Sequence, residues 1–228
     1  MESGGVYQYY PNSSFSNVVY ADVECRGLTD SDSSMFKLMG LEIDADTGRL
    51  HSNGAFDEYY PSEHGYIPTS FTLFSATETC TLLKVEDSVV LESCLKAARY
   101  LIRHSEVEAL NQEAASIPGL FNVYLLTGEK WAAKAAREKF ERLAKKQSPD
   151  GFFSEYGGAD IGYLSTTLDF LLEYRRLSGD HDVDSVAERI VDFSSYFIHQ
   201  DGSVGGPYGS RNTEYFLLSP LCLMAEQS

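Results

Sequence analysis

The stretch "LTGEKWAAKAAREKFERLAKKQSPDGFFSEYGGADIGYLSTTLDFLLEYRRLSGD", residues 126–180, begins and ends with similar tetrapeptides. "LTGE" (126–129) and "LSGD" (177–180) lie 51 residues apart. Each places a glycine after an apolar run and an acid after the glycine. This pattern predicts that helices end at Gly128 and Gly179, because glycine adopts the left-handed conformation that often follows a helix. Apolar residues recur every three or four positions in between, which is typical of a helical hairpin.

The same period extends along the chain. "YIPTSF" (66–71), "SIPGLF" (116–121), "YLSTTL" (163–168) and "EYFLLS" (214–219) open apolar runs at spacings of 50, 47 and 51 residues. We interpret these runs as inner helices. Residues 86–104, 129–147 and 181–200 are predicted to be outer helices, the first capped by Asp87 or Ser88. Lysines, arginines and glutamates alternate over 130–146, which favours a solvated outer face there.

A turn dipeptide precedes three of the four inner helices. It occurs in "NGAFDEYY" (53–60), "DGFFSEYGG" (150–158) and "DGSVGGPYGS" (201–210), whereas the second unit has "HSEVEALNQ" (104–112) instead. Hairpins of this length stack side by side, because one hairpin cannot bury its apolar face alone. If the inner helices are parallel, all these loops lie on one rim. The sequence therefore predicts an all-α domain over residues 51–228, preceded by an extended, irregular segment over residues 1–50.

Composition excludes several classes of function. The 228 residues carry a net charge of −16, which disfavours nucleic acid as a partner. No apolar run approaches the roughly 20 residues that span a bilayer, so no membrane association is expected. The N-terminus lacks the pattern of a signal peptide, and we expect a soluble, cytoplasmic protein. The four cysteines form no CxxC pair or Cys/His cluster, so reduced thiols without a bound metal or other cofactor are expected; they are Cys25, Cys80, Cys94 and Cys222.

Hairpins of about 50 residues with Asp-Gly turns resemble the (α/α) toroids. That superfamily contains six-hairpin glycosidases, toroid domains of polysaccharide lyases, and terpenoid cyclases with protein prenyltransferases. The "LTGE" and "LSGD" corners resemble the glycosidase branch. "QSPDGFF" (147–153) is similar to the glutamine-containing repeat motif of the cyclase branch, with Phe153 where tryptophan is usual. The resemblance covers residues 50–228 and implies an (α/α) toroid fold.

The chain also departs from these families. It has no Asp-x-Asp-Asp motif of the cyclases and no recognisable zinc ligand set of the prenyltransferases. Three and a half hairpins make an incomplete toroid or an open arc. Another chain, a second copy in a homo-oligomer, or a missing C-terminal part could complete it.

Alignment of the three turns predicts a rim of acids and tyrosines. Glu58 matches Glu155, and Glu63 matches Asp160, whereas the last unit has Arg211 at the second position. Paired carboxylates serve as acid and base in glycoside chemistry, so these four acids are the candidate catalytic residues. Tyrosine faces stack on sugar rings, and arginine binds carboxylates. The candidate substrate-binding residues are Tyr60, His64, Tyr156, Tyr163, Tyr208, Arg211 and Asn212.

A structural role is open for the same residues, because acids also cap helices and tyrosines also pack between hairpins. Asn212 or Thr213 could cap the last helix, and a cation such as Arg211 is disfavoured at a helix start. The favoured hypothesis is a carbohydrate-active hydrolase, lyase or epimerase that acts on an oligo- or polysaccharide. The alternatives are a terpenoid-cyclase-like enzyme with an isoprenoid substrate, and a non-catalytic helical repeat that binds a protein partner.

Overall fold

The computed structural model describes residues 50–58, 62–205, 208–213 and 215–226. The predicted N-terminal segment up to residue 49 and the candidate residue Tyr60 lie outside this part of the chain. The described residues form seven α-helices and only isolated β-bridges, which confirms the all-α prediction. The helices are α1 (Tyr66–Leu82), α2 (Ser88–Arg103), α3 (Leu110–Thr127), α4 (Lys130–Ala144), α5 (Ile161–Ser178), α6 (Asp182–Ser195) and α7 (Ser219–Glu226).

The helices form an arc of hairpins. Inner helices α1, α3 and α5 pack side by side, and outer helices α2, α4 and α6 each cover their own inner partner. Helix α7 packs against α5 as the start of a fourth unit. The predicted order of inner and outer helices is confirmed, and α1, α3 and α5 begin at the same rim.

The predicted helix ends are also confirmed. Gly128 and Gly179 follow α3 and α5 in the left-handed conformation, with φ of 74° and 70°. Their N–H groups donate to the carbonyls of Tyr124 and Arg175. At the start of α2, the side chain of Asp87 accepts hydrogen bonds from the backbone N–H groups of residues 89 and 90. These local signals fix where each hairpin turns.

Helix α3 is the centre of the core, and it is longer than predicted. It begins at Leu110, whereas the repeat pattern placed its start at the "SIPGLF" segment, so Pro118 lies inside the helix. Proline removes one backbone donor there. Its neighbour Gly119 lets α1 approach closely, because a Cβ at this position would lie 3.1 Å from the backbone nitrogen of Phe74. Burial on nearly all sides stabilises the helix despite the proline.

The C-terminal part of the chain is less helical than predicted. Helix α6 ends at Ser195 rather than near residue 200, and α7 begins only at Ser219, the last residue of "EYFLLS". The intervening segment contains "DGSVGGPYGS", whose four glycines and one proline disfavour a helix. Asn212 and Thr213 therefore do not cap a helix, and Arg211 does not lie at a helix start.

The turn glycines dock against outer helices. A Cβ on Gly54 would lie 2.1 Å from the carbonyl oxygen of Lys96 in α2, and one on Gly151 would lie 2.2 Å from that of Arg189 in α6. Gln147 holds the second turn in place, since its Nε2 donates to the carbonyls of Gly151 and Val186 at 2.9 and 3.0 Å. These two turns thus fasten their rim loops to the outer layer, whereas a Cβ on Gly202 of the third turn would meet nothing within 4 Å.

We expect Gly151→Ala to destabilise the protein by more than Gly179→Ala. Both glycines have positive φ, so alanine costs about 1–2 kcal/mol at either position. Only Gly151 also meets a backbone oxygen, whereas a Cβ on Gly179 has nothing within 4 Å. The clash should add about 1–3 kcal/mol. Urea unfolding of both variants measures the difference, and equal losses would contradict the docking of the turn on α6.

Candidate functional site

Four loops lie at the beginnings of the inner helices: loop 1 (50–65), loop 2 (104–109), loop 3 (145–160) and loop 4 (196–218). Loops 2 and 3 are joined by the hydrogen bonds from Tyr156 N–H to the Glu108 carbonyl (2.8 Å) and from Leu110 N–H to the Ser154 carbonyl (3.3 Å). Ser210 N–H of loop 4 donates to the Ala159 carbonyl of loop 3 at 2.8 Å. Loops 2, 3 and 4 therefore meet on one rim.

Glu155 of loop 3 is the most unusual acid of the rim. Only 1% of the residue is exposed, and its Oε1 accepts the backbone N–H of Asn111 in the first turn of α3 at 2.9 Å. Its Oε2 has no hydrogen-bond partner within the described part of the chain. Burial raises the pKa of Glu155 to about 7, although Asn111 and Arg211 lower it and the charge of Asp160 raises it further. A carboxyl group with this pKa can donate a proton near neutral pH.

Asp160 lies beside Glu155 and caps α5. Its Oδ1 accepts the backbone N–H of Tyr163 at 3.2 Å, and its Oδ2 accepts that of Arg211 at 3.0 Å. Loop 4 approaches closely, since a Cβ on Gly209 would lie 2.6 Å from Oδ2. The capping role that was open from the sequence is therefore present. Asp160 also fastens loop 4 to the start of α5.

Arg211 is held by two aromatic rings. Its guanidinium carbon lies 4.5 Å from the ring centre of Tyr156 and 5.0 Å from that of Tyr163, both distances typical of cation–π contacts. The positive charge also lowers the pKa of Glu155 and Tyr163. The next residue, Asn212, is exposed and has a left-handed backbone with φ of 51°. Arg211 thus joins loop 4 to loop 3 and to the first turn of α5 through aromatic faces.

Tyr156 occupies the tip of a tight turn. Glu155 and Gly158 exchange two backbone hydrogen bonds of 2.7 and 3.3 Å, and the two residues between them have φ of 51° and 87°. Positive φ at both positions is typical of a type I′ turn, which favours asparagine and glycine. A tyrosine with positive φ is strained, and strained residues cluster at functional sites. Tyr156 remains half exposed, with the guanidinium of Arg211 over its ring.

The other candidate tyrosines differ in exposure. Tyr163 is partly buried, its ring lies 5.8 Å from that of Tyr215, and burial raises its pKa. Tyr208 is 71% exposed, with its ring 6.0 Å from that of His199. The structure thus brings Glu155, Tyr156, Asp160, Tyr163 and Arg211 together, and we refer to these five residues as the Glu155 cluster.

Loop 1 forms a separate group of polar residues. The backbone N–H of Glu58 donates to Glu63 Oε2 at 2.9 Å, and Glu63 is exposed. Asp57 organises the loop, because it accepts the Nε2 of His51 at 2.7 Å and the backbone N–H of His64 at 2.9 Å. The two histidine rings stack at 3.9 Å. Glu58 and Glu63 therefore do not share the environments of Glu155 and Asp160, with which the sequence aligned them.

The pattern of charges failed to predict a buried ion pair. Lys139 of α4 is fully buried, and its Nζ lies 2.8 Å from Glu113 Oε1, 3.0 Å from the hydroxyl of Tyr66 and 3.1 Å from the His104 carbonyl. The prediction that 130–146 is a solvated face is wrong at Lys139. The helical spacing of Lys139 could have indicated its burial, because Lys139 follows Ala132 and Ala136 on the apolar face of α4.

Burial lowers the pKa of Lys139, although Glu113 raises it. Burial and Glu113 raise the pKa of Tyr66 well above its usual range. The hydroxyl of Tyr66 donates to Glu113 Oε2 at 2.5 Å. This Lys139 network (Tyr66, Glu113 and Lys139) connects α1, α3 and α4 directly below the rim.

The described ranges contain neither a metal-binding cluster nor a membrane-spanning helix. They contain no group of three or more His, Cys, Asp or Glu residues that could hold a metal ion. No helix in the same ranges is both long and apolar enough to span a bilayer. Cys80 and Cys94 are buried free thiols, whereas Cys25 and the side chain of Cys222 lie outside the described part.

Neither known protein families nor curated proteins match the chain. Among solved structures, it is similar to an inactive variant of the α-1,6-mannanase GH76A of Salegentibacter sp. HEL1_6, in which two aspartates are replaced by asparagine, in complex with α-1,6-mannotriose. The TM-score is 0.55 at 14% sequence identity, over 68% of this chain and 49% of the mannanase chain. The chain thus spans about half the length of the mannanase. In its fold, this protein is an arc of the (α/α) toroid type found in toroid glycosidases.

Proposed function

We propose that this protein is a carbohydrate-active enzyme that hydrolyses a glycosidic bond at the Glu155 cluster. The observation that carries the proposal is the buried carboxyl group of Glu155, whose pKa of about 7 suits a general acid. The similarity to a mannanase supports a glycan as the substrate, although that similarity concerns the fold. The cluster lies at the beginnings of inner helices, where three loops meet.

In the proposed reaction, Glu155 and Asp160 have different roles. Glu155 transfers its proton to the glycosidic oxygen as the bond between this oxygen and the sugar carbon breaks. The negative charge of Asp160 stabilises the positive charge that develops on the sugar ring. A water molecule then forms a bond to that sugar carbon and gives a proton to the ionised Glu155, which restores the acid. Two backbone N–H groups hold Asp160 in place, so we assign it this electrostatic role. Because Glu155 and Asp160 lie in different environments, the two carboxyl groups have different roles.

The aromatic residues of loops 3 and 4 would bind the sugar rings. Tyr156 and Tyr208 present exposed faces, and stacked rings of this kind bind the apolar faces of sugars. Tyr163, Arg211 and Asn212 complete the proposed substrate-binding set. Arg211 packs between tyrosines beside two acids, which favours contacts with sugar hydroxyls over capture of a substrate carboxylate. Loop 1 lies at the far edge of the rim. The catalytic role of Glu58 and Glu63 and the substrate-binding role of His64 stay predictions.

A glycan panel tests the proposal. Purified protein would be titrated calorimetrically with neutral and acidic oligosaccharides, α-1,6-mannotriose among them, and products would be followed by mass spectrometry. We expect binding and slow cleavage of at least one glycan, and a loss of affinity of about 5–10-fold in Arg211→Ala, since an aromatic or cation–π contact contributes on the order of 1 kcal/mol. Absence of binding and cleavage for every glycan would overturn the proposal.

A further inference from the structure

Two polar atoms next to each other lack partners at the start of α3. Asn111 is the second residue of this helix and is 1% exposed, as is Glu155. Neither Asn111 Nδ2 nor Glu155 Oε2 has a hydrogen-bond partner among the described residues. Buried polar side chains are normally paired, so an unpaired donor beside an unpaired acceptor requires an explanation.

The two side chains are close to each other. The backbone N–H of Asn111 donates to Glu155 Oε1. The side-chain amide of Asn111 is near enough to the carboxyl to lower its pKa, but it does not reach hydrogen-bond geometry with Oε2. Gln112 Oε1, on the next residue of α3, and Thr213 Oγ1 of loop 4 also lack a partner, whereas Asn122 Oδ1 and Ser194 Oγ lie elsewhere on the helices. At the start of α3, by contrast, a donor and an acid face the same interface of α3 and loop 3.

The hydrogen bond to Oε1 also determines where the proton of Glu155 resides. Because Oε1 already accepts the Asn111 N–H, a protonated Glu155 carries its proton on Oε2. Oε2 is the oxygen without a partner. The acidic O–H and the amide N–H of Asn111 are therefore both available to one acceptor.

We propose that Asn111 Nδ2 and Glu155 Oε2 form a binding site for a single oxygen of a glycan, the oxygen of the bond to be cleaved. That oxygen has two lone pairs, one for each donor. The side chain of Asn111 then holds the leaving oxygen in line with the Glu155 proton and stabilises the charge that develops on it. This inference rests on the proposed function and assigns to it a residue that the sequence did not single out.

Access to this site passes loop 4. Ser210 Oγ donates to the Glu155 carbonyl at 2.8 Å, and a Cβ on Gly158 would lie 2.7 Å from Ser210 Cβ. Ser210 and Arg211 are both exposed, so loop 4 rests on loop 3 through surface residues. Because Glu155 Oε2 and Asn111 Nδ2 are both buried, the proposal requires that a glycan displace these contacts to reach them.

The test compares two asparagines of the same helix. Asn111→Leu removes the side-chain donor but keeps the backbone N–H, and Asn122→Leu is the matched control because Asn122 is equally buried and also has an unpaired atom. The probe is α-1,6-mannotriose together with the oligosaccharides of the panel above. We expect Asn111→Leu to lower kcat/KM by about 100–1,000-fold, the range known for loss of one such donor, while Asn122→Leu keeps wild-type kinetics.

A third variant gives a readout that packing alone would not change. Asn111→Asp places a second carboxylate beside Glu155, so the pH at which activity falls on the alkaline side should rise by about one unit. If the wild-type protein cleaves a glycan and Asn111→Leu cleaves it with the same kinetics, this inference is overturned. The proposed function then stays intact. A crystal structure with mannotriose in which only a water bridges Asn111 Nδ2 and Glu155 Oε2 would do the same. If no glycan binds the wild-type protein, the proposed function itself fails.

Discussion

Glu155→Gln is expected to lower the rate of glycan cleavage by about 10²–10⁴-fold, the usual contribution of a general acid. Glutamine preserves the shape of the side chain and can still accept the Asn111 N–H, but it has no proton to transfer. Affinity for the glycan should therefore change much less than kcat. Single-turnover kinetics and calorimetry separate the two effects.

The pH dependence of activity and of stability tests the role of Glu155 in a second way. Activity of the wild-type protein should fall on the alkaline side as Glu155 ionises, with a midpoint near its pKa of about 7. Because this pKa is raised in the folded state, the carboxyl stabilises the fold fully at low pH. That stabilisation is lost as pH rises through 7. At pH 8, Glu155→Gln should therefore be more stable than wild type by about 1–3 kcal/mol.

Glu108→Gln is the matched control for this variant. Glu108 lies in loop 2 on the same rim, but its side chain is exposed, so its loss should leave both the rate and the stability unchanged. Urea unfolding at pH 5 and pH 8 gives the stability comparison. A Glu155→Gln variant that cleaves as fast as wild type would remove Glu155 from the mechanism.

Lys139→Ala should cost about 3–5 kcal/mol of the free energy of unfolding, the largest loss of stability that we expect from a single substitution. The substitution leaves Glu113 buried without its cation, and Glu113 is only 3% exposed. It also removes the donor to the Tyr66 hydroxyl and to the His104 carbonyl. Urea unfolding at pH 7 measures the loss.

Two further variants distinguish the loss of stability caused by the unpaired buried charge from the loss caused by missing packing. Lys134→Ala on the same helix removes an exposed lysine and should change stability by no more than about 0.5 kcal/mol. Lys139→Met combined with Glu113→Gln removes both charges at similar volume and should recover much of the loss. If Lys139→Ala costs no more than Lys134→Ala, the buried network does not stabilise the arc.

The repeat of helices could be predicted because its signals are local. Gly128 and Gly179 end helices through their own backbone conformation, and Asp87 caps the next helix through its own side chain. The apolar spacing of the hairpins then leaves few ways to pack them. Pro118 misled the prediction of where α3 begins, because burial of the helix on nearly all sides outweighs the loss of one hydrogen bond.

The site could be predicted only in part, because its chemistry depends on contacts between distant segments. The turn alignment named Glu155, Asp160 and Arg211, but it also equated Glu58 with Glu155. Only the packing of loop 3 against α3 buries Glu155, and no such packing surrounds Glu58. Asn111 had no signal at all, since its role arises from a residue that lies 44 positions later.

Titration of the Glu155 carboxyl carbon by ¹³C NMR tests the central claim most directly, because it requires no knowledge of the substrate. Comparison with Glu155→Gln assigns the signal. The account predicts a midpoint at pH about 7, produced by burial beside Asp160. A midpoint near pH 4.3, the ordinary value for glutamate, would contradict the account, because Glu155 would then be ionised at neutral pH and could not serve as the acid.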